Sequence, residues 1–344
     1  MVGRFTTAAI GAVLIVVGVL GGGVGRADGP TVRLRLGAVA PEGTAWARLL
    51  KAFANDVAQA TNGAVQMKWV LGGIAGDETE SMERVRRGQL DGLAGAMFCE
   101  RLAPSLKVVR VPGIVRTRAE YRHVISRLRS TVEAEMAKEG WVSLGVTTLG
   151  EDQLLTRRPF RTLDELRGMR IWVWNLDDVL LAYFKELGVE PAAMPPADAA
   201  RAFDDGRSDG FVAVPSAALA YQWTIRARNF ARPQLGWLPG CLVFAQRAFD
   251  ALSPAHREIV RTAAAKLTAL TDEAGEQMDD QLAGGLLARQ GVTMVPVDEK
   301  LRAALWAAGE RTTARLRGPT LPAALVSAVN GWLAELRQRA PAAR

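Results

Sequence analysis

Apolar residues along the chain follow a period of two in some segments and a helical period in others, which predicts alternating strands and helices. Val32, Leu34 and Leu36 alternate with arginines in the first strand-like segment, and a second such segment covers residues 65–71. Between them, Thr44 is predicted to cap an amphipathic helix. Strands that alternate with helices at this spacing are typical of an α/β fold with a largely parallel sheet.

The second half of the chain repeats this pattern. The step Gly88-Gln89-Leu90-Asp91-Gly92 has a counterpart in Gly206-Arg207-Ser208-Asp209-Gly210, and each leads from a helix into an apolar strand. Two copies far apart in the chain indicate two lobes built alike, although such a step is also common between helices and strands. Farther on, a long helix is predicted from Pro254 to Arg289, with proline at its first position.

Two tryptophans mark the first candidate site. Trp172 and Trp174 fall on one face of a strand predicted within residues 168–174, near its carboxyl end. Ligands of open α/β sheets bind beyond the carboxyl ends of strands. The alternative is that both indoles fill a core, where most of a tryptophan's surface is usually buried. Asn175 is predicted to cap the following helix, with Asp178 as the acidic partner of a capping box.

Composition narrows the class of protein. A chain of 344 residues with 49% hydrophobic residues is expected to form two well-packed domains. The net charge of +7 raises the question of nucleic-acid binding, but no basic stripe with interleaved aromatic residues is present. We therefore expect no nucleic-acid partner and attribute the charge to solvated helix faces.

The N-terminal segment has the features of a secretory signal peptide, predicted here as residues 1–27. Arg4 precedes an apolar run over residues 6–20, and Gly25-Arg26-Ala27 is a small-x-small cleavage site. An uncleaved anchor is the alternative, because the apolar run lengthens if the following glycines are counted with it. After this segment, no long uncharged stretch predicts a membrane span.

The chemistry-bearing residues do not form an enzyme pattern. The histidines His123 and His256 are both predicted at the surface, and no nucleophile, zinc or phosphate-binding motif is present. We therefore expect no enzymatic activity, no metal and no cofactor. An oxidising compartment would permit a disulfide between Cys99 and Cys241, but the sequence leaves open whether they pair or are two small buried side chains.

Several short segments occur in an order and spacing that together are specific. They are Val39-Ala40-Pro41-Glu42-Gly43 with Trp46, Gly72-Gly73 followed by Gly76-Asp77-Glu78, Gly88 with Asp91, Pro159-Phe160-Arg161-Thr162 with Asp164-Glu165-Leu166 and Gly168-Met169-Arg170-Ile171, Leu187-Gly188-Val189 with Pro191, Gly206 with Asp209-Gly210, and Leu238-Pro239-Gly240. From about Val32 to its end the chain resembles the solute-binding proteins of tripartite ATP-independent periplasmic (TRAP) transporters, DctP type.

The resemblance implies a two-lobed periplasmic binding protein fold (type II-like). Each lobe is expected to hold a mostly parallel sheet flanked by helices, with a long helix spanning both lobes. Lobe 1 is expected to comprise residues 28–149 and about 238–277, and lobe 2 residues 150–237 and about 278–344, with the C-terminal helices. Such a monomeric, non-enzymatic receptor closes on a small molecule in the periplasm and delivers it to the subunits of a TRAP-type membrane permease.

The chain departs from the family where most members grip a carboxylate. The strand after the glycine that corresponds to Gly168 usually carries an arginine, and here that position is Trp172. A second arginine has no counterpart within residues 150–153, and the asparagine expected after Asp209-Gly210 is absent. Because a bidentate Arg–carboxylate contact contributes roughly 1.5–3 kcal/mol, we expect a neutral or largely apolar or aromatic ligand instead.

The expected ligand-binding side chains are mostly aromatic. They are Trp172, Trp174, Phe211, Val212, Gln222 and Trp223 in lobe 2, Phe98 and Trp46 in lobe 1, and Asp177 as a polar group.

Three alternatives stay open. Asp177 and the indoles could form an aromatic cage for a quaternary amine, although Asp177 could equally complement a helix dipole. An organic anion could be held by Arg101, Arg157 or Arg158. A sensor or adaptor coupled to a kinase or an envelope pump would have the same mature sequence.

Overall fold

Strands and helices alternate along the chain as the apolar patterns predict. A computed structural model describes residues 31–233, 235–283, 285–318 and 320–339, so the predicted signal peptide lies outside the described residues. The strands are β1 (Val32–Ala38), β2 (Val65–Val70), β3 (Gly92–Gly95), β4 (Trp141–Glu151), β5 (Gln153–Thr156), β6 (Arg170–Trp174), β7 (Glu190–Met194), β8 (Gly210–Ala213), β9 (Asn229–Ala231), β10 (Trp237–Ala245) and β11 (Thr293–Val295).

The helices lie between these strands and continue past the last of them. They are α1 (Ala45–Ala60), α2 (Glu78–Arg86), α3 (Met97–Leu102), a 3-10 helix (Pro104–Arg110), α4 (Arg118–Lys138), α5 (Leu163–Arg167), α6 (Asp178–Leu187), α7 (Pro196–Asp204), α8 (Pro215–Ala220), α9 (Trp223–Arg226), α10 (Gln246–Asp250), α11 (Pro254–Ala283), α12 (Leu286–Arg289), α13 (Glu299–Leu316) and α14 (Ala323–Arg339).

Two mostly parallel sheets organise these elements. The first sheet has the order β2-β1-β3-β10-β4, in which β10 runs antiparallel to both of its neighbours. The second has the order β11-β9-β5-β8-β6-β7, in which β5 runs antiparallel to both of its neighbours. The other strand pairs are parallel, so the α/β fold with a sheet in each lobe is confirmed.

Two of the crossings between the sheets lie next to each other. Asp152 alone separates β4 of the first sheet from β5 of the second, and the return from β9 to β10 passes through Gly236. The backbone N–H of Asp152 donates to the carbonyl of Gly236 over 2.9 Å, which joins the crossings. A Cβ at position 236 would lie 2.3 Å from the carbonyl oxygen of Arg110, so only glycine fits there.

Each lobe buries its own apolar core, and the long helix α11 contacts both. Val260 and Ala264 of α11 pack in the core of the first lobe, which surrounds β1, β3 and β10. Farther along the helix, Met278 and Leu282 pack against an aromatic cluster of the second lobe. The long helix spanning both lobes is therefore confirmed, while the expected lobe boundaries stay a prediction.

Cys99 and Cys241 form a disulfide, which settles the question that the sequence left open. Cys99 lies in α3, the helix that follows β3, and Cys241 lies in β10, which pairs with β3. Their Cα atoms are 5.9 Å apart, and both residues are buried in the core of the first lobe.

Some predicted boundaries are wrong, each because of a local turn. Asn175 does not cap a helix: Asp177 caps α6 and accepts from the N–H of Leu180 over 2.9 Å. The turn after β6 thus takes more residues than the sequence pattern indicates. The long helix ends at Ala283 and not at Arg289, because Gly285 adopts a left-handed conformation before α12.

Removing the disulfide should destabilise the first lobe. The double variant Cys99→Ala/Cys241→Ala should lower the free energy of unfolding by about 2–4 kcal/mol, because the bridge restricts the unfolded chain over a long loop. Urea unfolding followed by circular dichroism measures this change. Adding a reductant should lower the stability of the wild type but not that of the variant. Equal stability of the two proteins without reductant would contradict the prediction.

Candidate functional site

A cavity of about 460 Å³ lies between the two lobes. This volume falls within the range of small-molecule binding sites, which are mostly apolar with a few polar groups. Its apolar lining comes from both lobes and from α11: Val39, Pro41, Ala45, Trp46, Leu49, Ala96, Met97, Leu149, Trp172, Trp174, Leu180, Pro196, Val212, Ala213, Val214, Pro215, Ala217, Leu219, Ala220, Tyr221, Trp223, Leu238, Ala274 and Met278.

The cavity lies where the topology of the sheets predicts a ligand site. The lining residues Val39, Ala96, Trp174 and Val214 lie at or just after the carboxyl ends of β1, β3, β6 and β8. These ends point toward the space between the lobes, as expected for open α/β sheets. The first turn of α1 adds Trp46, positioned by the helix cap on the preceding loop.

Stacked aromatic rings form the second-lobe wall of the cavity. Trp223 lies between Tyr221 and Phe211, with ring centroids at 5.2 and 4.8 Å and nearly parallel planes. Phe203 continues the stack behind Phe211 at 5.1 Å. Trp172 packs at an angle against Trp223, 4.8 Å away. Because each ring packs against the next, the stack holds this wall of the cavity in place.

Six of the nine side chains predicted from the sequence line this cavity. They are Trp46, Trp172, Trp174, Val212, Trp223 and Asp177. Trp174 and Trp46 are half-buried, whereas Trp172 is only 3% exposed and its indole N–H donates to the carbonyl of Met194. Trp172 therefore packs in the core and also lines the cavity, and its role in ligand binding stays a prediction.

The other three predicted residues lie elsewhere. Phe211 is fully buried behind Trp223, on the face of β8 opposite to Val212. Gln222 is exposed and has a left-handed backbone conformation before α9. Phe98 lines a smaller depression of about 250 Å³.

The arginines considered for an anionic ligand also lie outside the cavity lining. Arg157 donates to the carbonyl of Phe203 and Arg158 to that of Gly168. Arg101 lines the smaller depression.

A buried ion cluster at one end of the cavity was missed by the sequence reasoning. The guanidinium of Arg110, at the end of the 3-10 helix, contacts three buried carboxylates. Its Nη1 donates to Asp152 over 2.5 Å, its Nη2 donates to Asp177, and its Nε lies 3.2 Å from Glu100. The cluster joins a residue of the first lobe to the crossing and to the cap of α6 in the second lobe.

Burial and charge act against each other in this cluster. Burial opposes the charge of Arg110, but Asp152, Asp177 and Glu100 outweigh it and raise the pKa of the guanidinium. Burial also raises the pKa of Glu100 and of Asp152, although Arg110 opposes both shifts. Arg110 is therefore charged and is paired with carboxylates of the protein itself, although its Nε makes no hydrogen bond within the described part of the chain.

A second arginine of the cavity lining is also paired with a carboxylate. Arg118, in the first turn of α4, donates from Nη2 to Asp279 of α11 over 2.7 Å. Its guanidinium carbon lies 5.3 Å from the centroid of the Trp237 ring. Among the described lining residues, the arginines are thus Arg110 and Arg118, and each already has a carboxylate partner.

One more buried carboxyl, that of Glu78, lies at the first-lobe side of the cavity. It accepts hydrogen bonds from the backbone N–H groups of Ala96 and Phe98, both over 2.9 Å. Burial raises the pKa of Glu78 to about 7, and these two hydrogen bonds oppose the shift. Glu78 therefore holds the turn between β3 and α3 in place at the cavity wall.

The long helix supplies a lining face that the sequence reasoning also missed. Thr271, Ala274, Gly275, Met278 and Asp279 follow the spacing of one helix face and line the cavity. The available sequence signal was a glycine in the interior of a long helix, since such a residue marks a close approach of another group. For Arg110, the signal was a single charge within the apolar residues 108–111.

The described part of the chain contains neither a metal-ligand cluster nor a helix suited to cross a membrane. No group of three or more His, Cys, Asp or Glu side chains there is arranged to hold a metal ion. No helix there combines the length and the apolar character that a membrane crossing requires.

Comparison with known proteins identifies the relatives of this chain. Residues 36–317 match the profile of DctP, the bacterial extracellular solute-binding protein, family 7. A solute-binding protein of Chromohalobacter salexigens is 26% identical over 260 residues, which cover 74% of this chain and 76% of that protein.

Solved structures share the fold at lower identity. A TRAP periplasmic solute-binding protein of Xanthobacter autotrophicus, with bound β-D-galacturonate, has a TM-score of 0.79 at 21% identity and covers 87% of this chain and 99% of its own. One from Desulfovibrio desulfuricans, with bound sn-glycerol-3-phosphate, has a TM-score of 0.82 at 18% identity and covers 91% of this chain and 99% of its own.

Removing the buried guanidinium should be strongly destabilising. Arg110→Met leaves three buried carboxylates without a cation, which should lower the free energy of unfolding by about 3–5 kcal/mol. Urea unfolding at pH 8 measures the loss. The matched control is Arg122→Met, which breaks the exposed pair with Glu276 and should cost less than about 1 kcal/mol. Equal losses in the two variants would contradict a central role for Arg110.

Glu151 should make the protein less stable as the pH rises. Burial raises its pKa to about 7, despite the hydrogen bond from Gln153 and the charge of Arg232. Its unfolded pKa is near the ordinary value, so its favourable contribution is full below about pH 4.5 and is lost as the pH rises through about 7.

The variant Glu151→Gln should weaken the pH dependence of the unfolding free energy. In Glu151→Gln, the drop in unfolding free energy from pH 5 to pH 8 should shrink by about 2–3 kcal/mol, while Glu78 keeps its own share of the slope. Urea unfolding at the two pH values measures the drop. The exposed Glu42→Gln serves as the control and should follow the wild type. An unchanged slope in Glu151→Gln would refute the assignment.

Proposed function

Because this chain belongs to the DctP family of TRAP periplasmic solute-binding proteins, we propose that it closes its two lobes on a neutral or weakly polar, largely apolar or aromatic ligand. Proteins of this family bind small molecules as transporter components and are not enzymes. In the proposal, the ligand then passes to the subunits of a TRAP-type membrane permease. The receptor works as a monomer in the periplasm, after removal of residues 1–27.

The observation that carries the proposal is the state of the two arginines that line the cavity. Arg110 is bound by three carboxylates and Arg118 by one, so an incoming acid meets no uncommitted cation among the described lining residues. Among the described residues, Nη1 of Arg118 has no hydrogen-bond partner, but the charge of this guanidinium is already balanced by Asp279. To bind Arg110, a ligand carboxylate would have to displace a buried internal partner. Leaving a buried carboxylate unpaired costs several kcal/mol, which outweighs what the new contact returns.

The apolar wall favours a different ligand. Burying about 150 Å² of aromatic surface contributes roughly 4 kcal/mol, and stacking on Trp174 or Tyr221 adds about 0.5–1.5 kcal/mol. These gains need no free charge in the cavity. We propose further that Trp172 replaces the carboxylate-binding arginine of relatives. Its indole N–H is already engaged by Met194, which leaves only an apolar surface at that position.

The two alternative ligand classes are less well supported by the geometry. A quaternary amine caged by Asp177 would need a free carboxylate, but Asp177 already accepts from Leu180 and pairs with Arg110. An organic anion would need a free cation, as described above. A sensor or adaptor role would use the same cavity and the same ligand and differ only in the membrane partner.

Identification of the natural ligand is the direct experiment. The mature receptor, purified from its own periplasm and denatured, should release a compound with an apolar or aromatic body and no carboxylate, detected by mass spectrometry. Release of a sugar acid or another small carboxylate would overturn the proposed ligand class. Membership of the family would stand in either case.

Trp174 should contribute directly to binding. Three probes on one scaffold are suitable: 3-phenylpropanol, 3-phenylpropanoate and 3-phenylpropylamine. In isothermal titration calorimetry the wild type should bind the alcohol most tightly, and Trp174→Ala should weaken that binding about tenfold or more, because contact area is lost. The control Trp332→Ala removes an indole outside the cavity lining and should leave the affinity unchanged. Preferential binding of 3-phenylpropanoate by the wild type would contradict the proposal.

A further inference from the structure

We propose that Asp279 determines the charge selectivity of the cavity: it occupies the guanidinium of Arg118, so that the receptor itself supplies the carboxylate that an acidic ligand would otherwise bring. This inference rests on the proposed function, because it concerns which ligands the same cavity rejects. It assigns a role to a residue of the long helix, which lies far in sequence from the aromatic segment.

The two residues form a direct contact inside the cavity lining. The Nη2 of Arg118 lies 2.7 Å from an oxygen of Asp279, and their side chains are 11% and 30% exposed. Both residues line the cavity, one from the first turn of α4 and the other from α11. The pair therefore places a guanidinium whose charge is balanced, but whose Nη1 has no hydrogen-bond partner in the residues that the structure describes, at the surface that a ligand would touch.

The surroundings hold Arg118 in this position. Its guanidinium carbon lies 5.3 Å from the ring centroid of Trp237, whose indole N–H donates to the carbonyl of Val115. On α11, a Cβ at Gly275 would lie 3.0 Å from Nη1 and 3.1 Å from Nη2. A glycine inside a helix weakens it, so its presence here is explained by the space that the guanidinium needs.

The charge balance around the pair also disfavours an anion. The described lining residues include the acids Glu78, Asp152, Asp177 and Asp279, against the two arginines. Outside the lining, Glu151 is close enough to Asp279 for their charges to interact. A carboxylate ligand would thus enter a region that already has an excess of acidic groups.

A purely structural contact between α4 and α11 is the competing explanation, and the chain offers a matched pair to test it. Arg122 and Glu276 join the same two helices about one turn away, with N and O 2.7 Å apart. Their side chains are 45% and 47% exposed and do not line the cavity. If Asp279 served only to join the helices, both pairs should respond alike to loss of the acidic charge.

The experiment measures binding of 3-phenylpropanoate, 3-phenylpropanol and 3-phenylpropylamine to the mature receptor by isothermal titration calorimetry. Asp279→Asn keeps the side-chain size but removes the charge, so it should raise the affinity for 3-phenylpropanoate about tenfold or more over the wild type. The gain should disappear in Arg118→Met/Asp279→Asn, because the guanidinium is then absent. Glu276→Gln should bind all three probes as the wild type does.

The inference is overturned if Asp279→Asn binds 3-phenylpropanoate no better than the wild type, or if Glu276→Gln produces the same gain. Thermal unfolding verifies that each variant is folded, and Asp279→Ala provides a second variant with the same expectation. The proposed ligand class is overturned by a separate result, namely that the wild type does not bind 3-phenylpropanol. The change in affinity for the acid still decides the role of Asp279 in that case.

Discussion

The buried guanidinium of Arg110 joins the two lobes beside the crossing between the sheets. Arg110 belongs to the first lobe. Its guanidinium pairs with Asp152 at the crossing between the sheets and with Asp177 at the start of α6 in the second lobe. An isolated buried charge is too costly to persist, so these elements must stay together as long as the cluster is intact. One end of the cavity is therefore fixed by electrostatics, and the aromatic stack fixes the wall of the second lobe by packing.

This arrangement determines what the cavity can recognise. The ion pairs of Arg110 and Arg118 are closed within the protein, so the free surface that a ligand meets is mostly apolar. The structures of relatives contain galacturonate and glycerol-3-phosphate, both anions at neutral pH. In our proposal, the same fold serves a different ligand chemistry here because internal carboxylates pair with its guanidinium groups, since a fold positions a site without setting its chemistry.

Local sequence signals predicted the framework well. Thr44 caps α1 as predicted, and Thr117, Thr162 and Asp298 cap α4, α5 and α13 by the same kind of contact. These signals depend on contacts within a few residues, so the chain needs no tertiary information to form them. The capping pattern at Asn175 fails, because the turn after β6 is longer than the pattern indicates and Asp177, which also pairs with Arg110, caps α6.

The sequence by itself determined the order of strands and helices, the family of the chain and the segment that holds Trp172 and Trp174. Only the tertiary structure decided that Val212 faces the cavity while Phe211 lies behind its wall. It also brought Arg118 to Asp279, from distant parts of the chain. The physical reason is that periodicity gives the alternation of faces within an element, whereas the choice of the face that meets another lobe, and the pairing of distant charges, depend on long-range packing.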